Sequence, residues 1–227
     1  MSSPKTAPQG SWKSPIHAKE IAEGTLTLRE VLIDGDRVTW IEHRPMEGGR
    51  YAVVRRDADG TQRDVIPEGF SARTRVHEYG GGAYLPTGDE LLFVNFADQR
   101  LYRRVGDAEP VAITPDADLR HADFVLDAKR SRLISVQEDH IGKGEAVNRI
   151  VAIDPDDGGI RTLVEGNDFY AAPRVSPDGT HIAWLTWNHP HMPWDAAELH
   201  VARVRDDGAI GETTHVAGGP HESIVQP

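Results

Sequence analysis

Two stretches of the chain gather side chains able to do chemistry. One is His77-Glu78-Tyr79, preceded by Arg75 and running into Gly80-Gly81-Gly82; the other is Trp187 to Asp195, written WNHPHMPWD. An imidazole beside a carboxylate invites a metalloprotease reading. That reading needs a second His three positions after the Glu, and Gly81 stands there instead. Two readings of the stretch stay open. Consecutive glycines let backbones approach closely, which suits a strand entrance near a crowded axis. Alternatively, Glu78 pairs with the amino group of a ligand and Arg75 with a carboxylate or carbonyl.

The second stretch combines two Trp, two His and two Pro. Aromatic loops on a rigid scaffold often line pockets, and packing against a neighbouring domain is the equal alternative. His189 and His191 lie two positions apart with no convincing third ligand, so no metal is expected. The candidate substrate contacts are therefore Arg75, His77, Glu78, Tyr79, Trp187, Asn188, His189, Trp194 and Asp195. Glu138-Asp139-His140 has a carboxylate next to an imidazole but no serine placed with it, and a solvated loop is expected. Asp154 to Asp157 lacks the spacing of a calcium cage and is expected to be a polar turn. Arg55-Arg56 and Arg103-Arg104 are expected to be solvated charge that protects sheet edges.

The elements that must position these residues are short strands. Period-2 alternation with β-branched and aromatic residues marks Arg37 to Ile41, with Val38 and Trp40 on one face. Leu91 to Phe96 is apolar on both faces, as for a strand between stacked sheets, and Leu133 to Val136 and Ile182 to Leu185 are similar. Turns are expected at Asp34-Gly35, Asp59-Gly60, Thr87-Gly88-Asp89, Asp156 to Gly159, Pro177-Asp178-Gly179 and Asp206 to Gly208, because Gly tolerates positive φ and Asx side chains bond the local backbone. One short helix is expected over Ile16 to Glu23, with Ser14 as cap, Pro15 at the first position and Gly24 as stop.

The strand groups recur. Strong strands centre near Trp40, Phe93, Ile134 and Ala183, about 40 to 55 residues apart, which is propeller spacing. Third strands follow at Tyr51 to Arg55, Leu101 to Val105, Arg149 to Ile153 and Glu198 to Val204. The expected fold is all-β: a β-propeller of about four four-stranded blades plus the start of a fifth at His221 to Pro227, forming a truncated ring. A face-to-face sandwich is the competing architecture. Residues 1–24 are expected to be an extension carrying the helix and 25–227 the partial propeller. An unclosed ring leaves sheet edges bare, so self-association through exposed blade edges is expected.

The 227 residues carry a formal charge of −11, with 25 basic against 36 acidic side chains and no cysteine. This balance argues against nonspecific nucleic-acid binding, and thiolate zinc sites and disulfides are impossible. No apolar run suits a signal peptide or a membrane span. A cytoplasmic protein with no nucleic-acid or membrane partner and no cofactor is expected.

Three long segments resemble one family: RTRVHEYGGGA at 73–83, DFYAAPRVSPDGTHIAWLTW at 168–187 and NHPHMPWDAAEL at 188–199, with SWKSPI at 11–16 and NFADQRLY at 95–102 fitting the same subgroup. They are similar to the propellers of bacterial dipeptidyl-aminopeptidase and acylaminoacyl-peptidase-like enzymes in the prolyl oligopeptidase family. That subgroup usually has Gly-Thr after the Trp-Asp pair, whereas Ala196 and Ala197 follow Asp195 here. The resemblance implies a C-terminal α/β-hydrolase domain as partner, bearing Ser, Asp and His on a different part of the protein. The present chain has no G-x-S-x-G, since Ser71 in Gly69-Phe70-Ser71-Ala72-Arg73 lacks the second glycine. No catalytic residue is therefore expected in this chain. The implied role is to gate and help bind short peptides or aminoacyl amides, with hydrolysis through an acyl-enzyme elsewhere. The alternative is a stand-alone propeller for protein or peptide interaction without enzymatic activity.

Overall fold

The computed structural model of the protein describes residues 6–23 and 25–227. Helix α1 spans Ala18–Glu23, two residues shorter than the sequence suggests. The reason is local: the Ser14 hydroxyl accepts the Ile16 N–H at 3.1 Å, and the Glu20 carboxylate reaches back to the His17 N–H at 3.1 Å. The first turn is thus closed by Glu20 rather than by Ser14. Gly24, the expected stop, lies outside the described residues.

Among the described residues sixteen strands then form four antiparallel sheets, each four strands in simple up-and-down order. Blade 1 contains β1 (Thr27–Asp34), β2 (Arg37–Arg44), β3 (Arg50–Arg56) and β4 (Gln62–Asp64). Blade 2 contains β5 (Tyr84–Thr87), β6 (Glu90–Val94), β7 (Leu101–Val105) and β8 (Val111–Ala112). Blade 3 contains β9 (Leu119–Asp127), β10 (Arg132–Asp139), β11 (Val147–Ile153) and β12 (Ile160–Val164). Blade 4 contains β13 (Phe169–Val175), β14 (His181–Trp187), β15 (Glu198–Val204) and β16 (Ile210–Ala217). Residues 221–227 contain no strand; Ser223 makes one parallel bridge to Ala197.

Packing decides between propeller and sandwich. In β6, Leu91 and Phe93 enter a core with Ile41, Val53 and Tyr84. The alternate residues Leu92 and Val94 enter another with Leu133, Val151 and Ile153. In β10, Leu133 faces that second core, while Ile134 and Val136 join Tyr170, Ile182 and Trp184 in a third. Each middle blade therefore gives one face to each neighbour, which two face-to-face sheets cannot do. The first strands β1, β5, β9 and β13 contact one another in series and form the inner edge. In β2 the deeply buried positions are Thr39 and Ile41, while Val38 and Trp40 share the half-buried opposite face. On β1, Leu28, Val31 and Ile33 remain exposed.

The inner strands bulge at matching places. Glu30, Asp123 and Ala172 all have φ near +50° (49°, 56° and 48°), where the pairing register slips. Two of these bulges present carboxylates to the next blade. Glu30 accepts the Ala83 N–H at 2.8 Å; Asp123 accepts the Gly82 N–H at 2.6 Å and the Ala172 N–H at 2.9 Å. A Cβ on Gly81 would stand 2.9 Å from Asp123 Oδ1 and 3.0 Å from Ala122 Cβ. The glycine run thus serves the close approach of blades at the axis.

One face of the blades carries the tight turns, with Gly35, Gly60, Gly88, Gly158, Gly179 and Gly208 all at positive φ. Arginines lace this face. Arg37 donates to Gly88 O, Arg130 to Gly179 O and Arg132 to Gly208 O, each at 2.8 Å. Arg103 joins Glu90 in its own blade to Asp156 in the next, and Arg104 donates to Val65 O at 2.9 Å. The expectation of merely solvated charge at Arg103-Arg104 is corrected: both tie blades together, because each turn offers carbonyls within guanidinium reach of its neighbour.

Candidate functional site

The opposite face carries the β2–β3-type loops and the connections between blades, and a cavity of about 580 Å³ opens there over blades 2, 3 and 4. Four chain segments build it, around 77–79, 138–148, 166–169 and 187–192. The connection into blade 2 turns sharply at Val76 to Tyr79, with His77 and Glu78 both in the left-handed region (φ 55° and 64°). The turn is closed by Glu78 N–H to Arg75 O at 2.9 Å and Gly80 N–H to Val76 O at 2.8 Å. Left-handed backbone on non-glycine residues is costly, and such strain gathers at functional sites.

The strain is held by Glu138 at the end of β10. Its side chain continues the face of Ile134 and Val136 and is only 4% exposed. Oε1 accepts the His77 N–H at 2.6 Å, and Oε2 faces His140 Nε2 at 3.1 Å. The expectation of a solvated loop is therefore corrected for Glu138, whose alternation with the core carries it inward. Asp139, on the other face, pairs with Arg149 at 2.9 Å. Arg120 donates to Glu78 Oε1 at 2.6 Å and to Arg75 O at 3.0 Å, and this bond holds the exposed Glu78 carboxyl below its usual range.

Blade 4 supplies an aromatic wall. Phe169 and Trp187 stack at 5.4 Å, and the His77 ring meets them edge-on at 5.6 and 5.2 Å. Burial lowers the His77 pKa, against the pull of Glu138 and Asp123, which favours the neutral ring. His77 Nε2 and Asn148 Oδ1 are buried, border the cavity and have no hydrogen-bond partner among the described residues. His189 packs on Phe169 at 4.9 Å and bonds Asp168 through Nδ1 at 3.0 Å.

Of the expected contacts, His77, Glu78, Tyr79, Trp187 and His189 line this cavity together. Asn188 instead fixes the loop, accepting the Asp168 N–H at 2.7 Å. Asp195 accepts the Met192 N–H at 3.3 Å, and Trp194 is 66% exposed away from the cavity. Arg75 lies over the Phe96 ring at 4.6 Å, outside it. Sequence reasoning missed Glu138, Asn148, Asp168 and Phe169 as lining residues. Carrying the β10 alternation two residues further would have found Glu138. No group of three or more potential metal ligands occurs among the described residues, and no described helix is long and apolar enough to cross a membrane.

The chain superimposes on a Mycobacterium tuberculosis puromycin-hydrolyzing peptidase with a TM-score of 0.87 and 41% identity, over 98% of this chain and 37% of that one. The chain is a propeller of the prolyl oligopeptidase family. A second puromycin hydrolase aligns at 37% identity and a TM-score of 0.86, over 97% of this chain and 37% of its own length. Acylaminoacyl peptidase from Pyrococcus horikoshii, at 11% identity and a TM-score of 0.58, shares the fold. The chain thus spans little more than a third of the length of the peptidases it matches. No family model and no curated protein matches it.

Proposed function

We propose that residues 25–227 form the propeller part of an oligopeptidase-like serine hydrolase of aminopeptidase or acylaminoacyl-peptidase type, with residues 1–24 as an extension. In this reading the propeller gates access to a hydrolase domain supplied by the rest of the protein and helps to bind short peptides or aminoacyl amides. The observation that carries it is the cavity of about 580 Å³, whose aromatic wall of Phe169 and Trp187 faces the carboxylates of Glu78 and Glu138. Puromycin, the compound named for two of these peptidases, is an aminoacyl amide with a free α-amine and an aromatic side chain. An ammonium group suits the acidic rim, and an aryl ring suits the Phe169–Trp187 stack. A ring of blades above the reaction centre also excludes bulky chains and water. The exposed Leu28, Val31 and Ile33 on β1 support self-association of the isolated chain, against which a monodisperse monomer in light scattering would count.

The test is Trp187→Ala in the protein joined to its hydrolase domain, assayed with aminoacyl and N-acylated chromogenic amides. KM for aromatic aminoacyl amides should rise about tenfold, the cost of about 1.4 kcal/mol of lost binding, with kcat changed much less. Unchanged KM alongside a lowered Tm would assign Trp187 to packing alone and remove the cavity from substrate binding.

A further inference from the structure

A second concave region of about 440 Å³ lies between blades 1 and 2 on the same face, lined by Arg50, Arg73, Tyr51 and Phe96 together with Glu47 and Glu68. Guanidinium groups and aromatic rings alternate in a ladder that passes through it at Tyr51, Arg73 and Phe96 and continues beyond it to Arg29 and Arg75. Arg29 stands 6.0 Å from the centre of the Tyr51 ring; Arg73 lies between Tyr51 at 5.1 Å and Phe96 at 4.9 Å; Arg75 covers the far side of Phe96 at 4.6 Å.

The backbone under the ladder is fixed. Ala72 N–H bonds Tyr51 O at 2.8 Å, Arg73 N–H bonds Val94 O at 3.1 Å, and Arg75 N–H bonds the Gln99 side chain at 2.7 Å. Several neighbouring guanidinium groups are consumed. Arg44 binds Glu42 and Asp64, Arg50 binds Glu47 and Phe70 O, and Arg120 binds Glu78. Arg29, Arg73 and Arg75 make no side-chain hydrogen bond or ion pair among the described residues. Of the acids nearby, Glu30 is committed to the Ala83 N–H, Glu78 to Arg120 and Glu47 to Arg44 and Arg50, while Glu68 lines the concave region. Stacking occupies the flat faces of these groups and leaves their N–H edges open.

We infer that this ladder is a carboxylate-binding site, taking the planar anion of a short peptide, whether at its C-terminus or on an acidic side chain. A guanidinium held flat by a ring presents two parallel N–H groups, the geometry that matches a carboxylate bidentately. In a chain of formal charge −11, three neighbouring cations, offset in part by Glu30 beside Arg29 and Glu78 beside Arg75, form a local well in a field that otherwise repels anions. The site stands apart from the acidic cavity and does not rest on the peptidase reading.

The experiment is a titration of the whole chain, following the Arg Nε–H resonances, with four probes: Ala-Ala-Ala, its C-terminal amide, N-acetyl-Ala-Glu-Ala amide and inorganic phosphate. Saturable shifts of Arg73 and Arg75 are expected with a free-carboxylate peptide, with affinity about tenfold or more above that of the Ala-Ala-Ala amide. Which of the two carboxylate peptides binds tells terminal from side-chain recognition. Arg73→Lys, which keeps the charge but loses the stacked fork, should weaken binding about tenfold without moving Tm. Arg73→Gln with Arg75→Gln should abolish it. Equal binding of acid and amide, absence of saturable shifts, phosphate binding as tightly as the peptides, or undiminished binding by Arg73→Lys would each overturn the assignment.

Discussion

The two faces of the blade array are built from the same strands and use their polar residues in opposite ways. On the turn face many polar groups are spent on the protein itself. Asp178 accepts hydrogen bonds from the Ser176 and Thr180 hydroxyls and the Thr180 N–H, and Arg130 and Arg132 cap the carbonyls of the neighbouring blade. On the connection face polar groups are left over. His77 Nε2 and Asn148 Oδ1 have no partner, and the ladder arginines have only rings. Structure is secured on one side, and recognition is possible on the other.

The largest test of this division is Gly158→Ala. The added Cβ would lie 1.8 Å from Ile113 O, on backbone at φ +74°. We expect a loss of about 3 kcal/mol or more, read from urea unfolding, because neither contacting segment can move without breaking the blade 2–blade 3 seam. A loss below about 1 kcal/mol would show that the turn face is softer than its hydrogen bonds imply.

A pH series sharpens the contrast through opposite signs. Burial pushes Glu30 at the inner edge up to about 7 from an ordinary 4.5, against the pull of the Ala83 N–H. Its contribution to stability is whole below pH 4.5 and is lost as pH rises towards 7, by up to about 3 kcal/mol. Asp178 is held well below its usual range by the Ser176 hydroxyl and Thr180, so its contribution is present above pH 3.8 and disappears as pH falls further. Glu30→Gln should flatten the first slope and Asp178→Asn the second, in urea midpoints measured from pH 2 to 8. A Glu30→Gln slope identical to that of the native chain would mean that Glu30 is not desolvated.

The smallest effect is expected at Glu78. Its side chain is 79% exposed and its partner is one arginine, so Glu78→Ala should shift stability by no more than about 0.5 kcal/mol. A larger loss would mean that the strained His77-Glu78 turn needs this ion pair as well as Glu138.

The blades were legible because their signals are local. Alternation in β10 and β14, glycine at each turn and recurrence of the strong strands follow from neighbours within a few residues. The stretches RTRVHEYGGGA and WNHPHMPWD held six of the cavity-lining residues as well. What stayed hidden depends on residues far apart in sequence. Glu138 sits in an acidic tripeptide that looks solvated, yet its partner is the His77 amide 61 positions away. Trp194 and Asp195 share a motif with Trp187, but the loop turns between them and takes Trp194 out of the cavity. The arginine ladder draws on β1, β3 and two connections, and no spacing rule links positions 29, 51, 73 and 96.

The strands β6 and β10 have no outer side, since odd and even positions serve different seams. Opening blade 2 or blade 3 therefore dissolves two interfaces at once, whereas opening blade 1 or blade 4 dissolves one of those described. Slow amide exchange should accordingly peak in β6 and β10 and decline towards both flanks. Drift in either strand must be matched by two neighbours, which makes these strands the slowest to diverge.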